Sequence, residues 1–247
     1  MKNKLDYCYH THTSRCGHAT GEDEEYVLKA IEAGFKRLGI SDHIFLPGIS
    51  QRRVRGDYDF LNHYLETFNK LRDKYKDKIE IKIGFEAEYL PSLLSYYQEL
   101  LSSKKIDYLI LGQHYHEVDG RLMLFTPSEY AEDIVNALDT GLFTYVAHPD
   151  LFLLADNRWN DSNIGVSRKI LKACETHHIP IEINVCGIRA NRPYPSRDFF
   201  KLSKEYNLEY VVGVDAHAPE HFLSEDIAKA LQLADDIGIK IKDLYIK

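Results

Sequence analysis

Short runs of β-branched and aromatic residues alternate along the chain with longer stretches whose apolar positions recur every three to four residues. That alternation is the signature of repeated strand-then-helix units around a largely parallel sheet. The first unit shows the logic. Residues 6–9 read as a strand; Gly21 and the acidic run Glu22, Asp23, Glu24 and Glu25 then open a helix in which Val27, Ala30 and Ile31 share a face, and Gly34 stops it. The chain returns as a strand over 37–41. Further strands are expected at 79–85, 108–111, 144–147, 181–184 and 210–214, which makes seven, with helices over 58–74, 91–101, 128–138, 163–177, 196–206 and 224–237. No linker, internal repeat or low-complexity tract interrupts the alternation, so a single α/β domain is expected. The stretches 47–57 and 184–195 read as long loops between a strand and the next helix, where function usually resides.

Composition narrows the reading. With 247 residues, 44% of them hydrophobic, the chain can bury a sizeable core in one domain. Its 38 acidic against 31 basic residues give a formal charge of -7, so no basic surface suited to a nucleic-acid backbone is expected. The opening MKNKLDYCYH lacks the apolar stretch of a signal peptide, and no apolar run approaches the ~18 residues that cross a bilayer. The expectation is a cytoplasmic protein. Cys8, Cys16, Cys174 and Cys186 lack the spacing of a disulfide framework or a thiolate zinc site. Histidine, with 12 copies, is the unusual residue.

The histidines are not scattered. In chain order, the strand ends carry His10 and His12, Asp42 and His43, Glu86 and Glu88, His114, His148 and Asp150, and Asp215 and His217. Six of the seven strands thus end in a potential metal ligand. In a barrel of parallel strands the C-terminal ends converge on one face, so these residues meet in one pocket. His10 and His12, like Asp215 and His217, are spaced i, i+2, which places two strand side chains on one face. Together with His18 they form a set of nine donors: His10, His12, His18, His43, Glu86, His114, His148, Asp215 and His217. Many imidazoles, few carboxylates and no thiolate suit Zn, Mn or Fe(II), and nine donors suit two or three divalent ions, with Glu86 as the bridging carboxylate. Glu88, Asp42 and Asp150 are expected to orient ligand imidazoles through their other nitrogen. His63, His177, His178 and His221 read as ordinary surface or core residues, and His116 lies two positions beyond His114.

The segments HTHTSRCGHA, SDH, GFEAEYL, LGQH, AHPD and GVDAH, spread from His10 to Pro219, resemble the polymerase and histidinol phosphatase (PHP) superfamily, and within it the PHP-type histidinol-phosphatase family. The resemblance implies a distorted seven-stranded (β/α)7 TIM-like barrel, in agreement with the seven units. It also implies a partition of the ligands: His10, His12, Glu86 and Asp215 around one ion, His18, His43 and His217 around a second, and Glu86, His114 and His148 around a third. Asp215 and His217 are expected to be catalytic as well as ligating, and Cys16 structural. EINVCGIRANRPYPS is similar to the family's sixth strand and the loop whose arginine holds the substrate phosphate, so Arg189 and Arg192 are candidates. Two departures stand out. Leu151, Phe152, Leu153 and Leu154 follow Asp150 where relatives carry a basic residue, making Arg158 the first cation there, and the 115–126 segment is shorter than the family's substrate-covering loop.

The chemistry so implied is hydrolysis of a small-molecule phosphate ester, with L-histidinol phosphate as the expected substrate. A hydroxide bridging two ions would attack phosphorus, and no serine or cysteine nucleophile is needed. The alternatives are another PHP phosphoesterase, acting on a different small phosphate ester, a phosphotyrosyl protein or a nucleic-acid end, and a non-catalytic PHP module, which should have lost ligands. All nine are present.

Overall fold

The strands are short and apolar, as strands covered on both faces must be. In the computed structural model, which describes residues 5–246, they are β1 (Tyr7–Cys8), β2 (Arg37–Ile40), β3 (Glu80–Ala87), β4 (Tyr108–Leu111), the hairpin pair β5 (His116–Val118) and β6 (Arg121–Met123), β7 (Ile181–Asn184) and β8 (Tyr210–Gly213). The first four form a parallel sheet in chain order, and β7 pairs in parallel with β8. Val146 bridges the two sheets, pairing with Leu111 on one side and Ile181 on the other. Thr11 pairs with Ala216, and the His12 N–H donates to the Ala216 carbonyl at 2.8 Å, which brings the last strand back to the first. The result is the distorted seven-membered barrel that the resemblance implies, with the seven units that the alternation predicts.

Residues 144–147 take the expected strand position: the Thr144 and Ala147 N–H groups donate to the Leu109 and Leu111 carbonyls on one side, and on the other the Val146 carbonyl accepts the Glu182 N–H, before His148, at φ 30°, turns the chain. The antiparallel hairpin of β5 and β6 was not expected. Its Asp119 and Gly120, at φ 49° and 73°, form the left-handed two-residue turn that an Asp-Gly pair favours.

The helices are α1 (Asp23–Ala33), α2 (Phe60–Tyr75), α3 (Leu94–Ser102), α4 (Pro127–Asp139), α5 (Asp161–His177), α6 (Val185–Arg189), α7 (Arg197–Ser203) and α8 (Asp226–Ile237). The acidic opening of α1 forms a capping box between Glu22 and Glu25, and Gly34 closes it at φ 92°. Thr126 and Glu129 cap α4 in the same reciprocal way. The short α6 lies within the stretch read as loop, where the Asn184 side chain accepts the Gly187 N–H at 2.8 Å and starts a helical turn.

Inside the barrel, Tyr7, Tyr9, Tyr108, Ile110, Tyr145, Ala147 and Val211 form a separate apolar cluster that also takes in Leu244 and Ile246 from the C-terminal segment. That segment pairs Ile241 with Tyr210 and closes the barrel at the end opposite the strand tips. The larger core lies between the strands and the helices. No helix among the described residues is long and apolar enough to cross a membrane.

Candidate metal centre

The nine donors meet at the C-terminal ends of the strands. Glu86, at the end of β3 and 1% exposed, lies at their centre. Its Oε1 is 2.7 Å from His148 Nε2, 3.5 Å from His10 Nε2 and 3.6 Å from His114 Nε2. Its Oε2 is 3.0 Å from His43 Nδ1 and 3.4 Å from His12 Nε2. Each oxygen of the carboxylate therefore faces a different group of imidazoles. Asp215 Oδ1 lies 3.2 Å from His12 Nε2 and 3.6 Å from His10 Nε2. Gly112 makes this packing possible, since a Cβ there would stand 2.0 Å from Glu86 Oε1.

The backbone is bent to bring the donors together. Asp215 adopts φ 49° immediately beyond β8, so the i, i+2 pairing with His217 is made across a left-handed turn, not along an extended strand. Together with His148, this puts two of the candidate ligands in a conformation that non-glycine residues seldom adopt, a form of strain that clusters at functional sites.

The imidazoles are held ready to bind a cation. His18 Nδ1 lies 3.1 Å from the Cys16 carbonyl and His217 Nδ1 lies 3.1 Å from the Asp215 carbonyl, so each Nδ1–H donates to backbone and each Nε2 presents a lone pair. Those two Nε2 atoms face each other at 2.9 Å. Two lone pairs at that distance repel unless a cation lies against them. Buried His10 Nε2, both nitrogens of His12, His43 Nδ1 and Asp215 Oδ1 have no hydrogen-bond partner, an expensive condition for buried polar atoms that coordination would remove. The residues present therefore fit divalent cations.

Electrostatics agree. Burial pushes His43 down to about 3, against the pull of Glu86, and burial together with His12 and His18 holds His217 well below the usual imidazole range. Both are neutral, as ligands must be. Burial works to raise Glu86, but His114 and His10, which the neighbouring carboxylates hold above the usual imidazole range against their own burial, outweigh it and keep the carboxyl ionised; His10 does the same for Asp215. The Cys16 and Cys186 thiols at the edge of the cluster are pushed up to about 12 by burial, so both are thiols and not thiolates.

The orienting residues differ from those expected. Glu88 does face His114, at 3.4 Å, and is held by a bidentate pair with the buried Arg55 at 2.7 and 3.1 Å. Asp42 instead accepts the Thr13 N–H and hydroxyl, both at 2.5 Å, and fixes the turn after His12. Asp150 accepts the Ser196 N–H at 2.5 Å and ties down the loop after β7. The carboxylate that orients His10 is Glu182, at 2.8 Å from its Nδ1, on the strand that contributes no ligand. Glu182 Oε2 also accepts the His148 N–H at 3.0 Å and the Asn184 amide at 2.9 Å. An acidic residue inside the apolar run IEIN was the signal for it. His221, read as ordinary, accepts the His217 N–H on its Nδ1 at 3.0 Å. His116 pairs with Asp133 at 2.8 Å, beside the site and not in it.

A cleft of about 260 Å³ opens above the cluster, lined by ligands and by Arg53, Val54, Tyr115, Arg192 and Tyr194. Of the three arginines expected to hold substrate, only Arg192 reaches this cleft, with its guanidinium over the Tyr194 ring and Nη1 donating to Tyr194 Oη at 2.7 Å. Arg189 Nη2 donates to the Asp215 carbonyl at 2.8 Å and braces the turn there. Arg158 is 78% exposed, paired with Asp156 and absent from the cleft wall: Leu151, Phe152 and Leu153 pack inward in a 3-10 turn, and the chain from Leu154 on runs over the surface.

Comparison with known proteins bears on this arrangement. The PHP domain family matches residues 9–185. A protein of Deinococcus radiodurans named "Probable histidinol-phosphatase" is 25% identical over 243 residues, covering 93% of this chain and 92% of its own. The structure of histidinol phosphate phosphatase from Lactococcus lactis subsp. lactis, complexed with zinc, L-histidinol and phosphate, superposes with a TM-score of 0.72 at 20% identity, covering 96% of this chain and 95% of that one. Metal-dependent tyrosine phosphatases of Bacillus subtilis and Streptococcus pneumoniae share the fold more loosely, with a TM-score of 0.53 at 11% identity over 98% of this chain and 96% of theirs.

Proposed function

From the premise that this chain belongs to the PHP domain family and is a metal-dependent phosphatase, we propose that it hydrolyses L-histidinol phosphate to L-histidinol and inorganic phosphate. The observation that carries the reading is the convergence of nine donors, several of them buried and unpartnered, beneath a cleft of small-molecule size. Its support from relatives is the Lactococcus structure, which holds zinc, L-histidinol and phosphate.

We assign His10, His12, Glu86 and Asp215 to one ion, His18, His43 and His217 to a second, and Glu86, His114 and His148 to a third. The two oxygens of Glu86, facing separate groups of rings, suit a bridging role. When bound, divalent ions supply Lewis acidity and a water nucleophile at neutral pH. The protein's own part is positional. Asp215 and His217 stand at the floor of the cleft, where the reacting phosphoryl group must lie, and Arg192 reaches it from the loop after β7. Tyr115 and Tyr194 give the leaving alcohol aromatic walls.

A second reading, a different small phosphate ester, is favoured by one observation. Among the described residues, the carboxylates of the cleft wall are Glu86 and Asp215, and both are turned toward imidazoles and not toward a substrate ammonium. Hydrolysis of a panel of phosphate esters with the Mn-, Zn- and Fe(II)-loaded protein decides between the readings. Turnover of L-histidinol phosphate well above the rest, lost on chelation and restored by metal, is the expected result; full activity in a preparation free of metal would end the proposal.

A further inference from the structure

We propose that Arg53, in the loop between β2 and α2, is a second phosphate-binding residue of this site. The assignment rests on the reading that a phosphate monoester occupies the cleft.

The loop is built to present this one side chain. Gln51 and Arg55 pin it from either side. The Gln51 carbonyl accepts the N–H groups of Val54 and Arg55 at 2.9 and 3.0 Å, and its side-chain oxygen accepts Arg55 Nε at 2.6 Å. Arg55 itself is fully buried against Glu88 and the Ile44 carbonyl. Between these anchors Arg53 takes φ 69°, the left-handed region that a residue with a Cβ seldom adopts. Its backbone packs on Gly17, where a Cβ would come within 3.1 Å of Arg53 Cα, and Gly17 precedes His18 directly.

The side chain so presented is exposed, lines the cleft and makes no hydrogen bond or ion pair with any described residue. Most arginines near the site are already engaged: Arg15 with Asp23, Arg55 with Glu88, and Arg189 with the Asp215 carbonyl. Among the described residues of the cleft wall, Arg53 is a cation with no partner of its own, and its backbone packs on Gly17 at the His18 edge of the cluster. β2 and β7 lie nearly opposite in the seven-membered ring, so Arg53 and Arg192 approach the cleft from opposite sides. A dianionic phosphoryl group resting on the ligand cluster would lie between the two arginines, and the planar guanidinium fork matches its oxygens.

The test is binding of inorganic phosphate to the metal-loaded protein, followed by calorimetry. Arg53→Gly removes the guanidinium and relaxes the backbone at the same time, so folding is not at issue. The expected result is a rise in the phosphate Kd on the order of ten- to a hundredfold, with metal content unchanged by elemental analysis and Arg53→Lys in between. A Kd within about twofold of the parent overturns the assignment, and so does loss of metal from the Gly variant, which would make Arg53 a prop for His18. Turnover of L-histidinol phosphate and of p-nitrophenyl phosphate, measured alongside, separates the two readings. A parent protein that binds phosphate through Arg53 yet hydrolyses neither ester refutes the proposed activity alone. One that hydrolyses either ester with a phosphate affinity indifferent to Arg53 refutes this inference alone.

Discussion

Glu182 shows what a single residue contributes when it touches no substrate. Its carboxylate is fully buried, binds His10 Nδ1 and the His148 N–H, and so fixes a ring and a backbone segment at two different strand ends. Gly213 on the neighbouring strand leaves the room for it, since a Cβ there would lie 1.6 Å from Glu182 Oε1. A ligand imidazole whose other nitrogen is held by a carboxylate is both oriented and made more basic. Glu182→Gln keeps the shape but not the charge, and metal affinity should fall about tenfold to a hundredfold; competition with a chromophoric chelator measures it, and an unchanged affinity would remove Glu182 from the site. Eight of the nine residues expected as donors stand at strand ends, whose regular recurrence marks them in the sequence, and the structure brings them together with His18 from the loop after the first strand. The sequence pattern missed Glu182 because the residue sits inside a strand, where only its presence in an apolar run marks it. It also misassigned Asp42 and Asp150, which are taken up by the Thr13 N–H and hydroxyl and by the Ser196 N–H, partners that no spacing reveals.

At the scale of elements, the loop between β2 and α2 depends on one buried ion pair. Arg55 and Glu88 are both almost fully covered, and each has further bonds, Arg55 to Gln51 and Ile44 and Glu88 to His114. Burial alone would raise Glu88, but Arg55 and His114 outweigh it and bring its carboxyl down to about 2. Because the folded value lies below that of the unfolded chain, near 4.3, the pair stabilises the fold fully above that pH. The contribution is lost as pH falls from about 4 toward 2, and it should appear as a drop in the urea midpoint over that window. Arg55→Ala leaves the carboxylate buried and unpaired and should cost about 3–5 kcal/mol at neutral pH; a change under about 1 kcal/mol in urea unfolding would show that the loop repacks around Glu88. The sequence announced 47–57 as a functional loop but not how it is held, since the pair joins residues 33 positions apart. Local signals fared better. The acidic opening and Gly34 stop of α1 stand where the pattern places them, and the Asp-Gly turn of the hairpin was present in the sequence but outweighed by the expectation of a bare loop.

The whole molecule divides its labour between the two ends of the barrel. One end carries the strained, polar residues of the candidate metal centre, whose unpartnered buried atoms weigh against stability. The other end is closed by the chain's own C-terminal segment. Leu244 and Ile246 complete the apolar filling begun by Tyr7 and Val211. The nearly buried Arg37 guanidinium pairs with Asp243 and donates to the Leu244 carbonyl at 2.9 Å, while Tyr7 Oη donates to the Lys242 carbonyl at 2.9 Å. Alternation of strands and helices gave the barrel its seven units, but the plug could not be read from periodicity, because it is a short irregular segment whose meaning lies in contacts more than 200 residues away. In barrels of this kind the strand-tip face serves function and the opposite face stability, and a truncation can separate the two. Ending the chain after Lys240 removes the buried Leu244 and Ile246 side chains, worth about 1.5–3 kcal/mol each, takes away Ile241 with its pairing to Tyr210, and leaves Arg37 without its partners. The urea midpoint should fall by several kcal/mol's worth of stability, while metal content and kcat of the molecules that remain folded stay close to those of the full chain. If the truncated protein unfolds at the same urea concentration, the segment only rests on the barrel; if it keeps its stability but loses its metals, the two ends are coupled through the tyrosine-filled interior and are not independent.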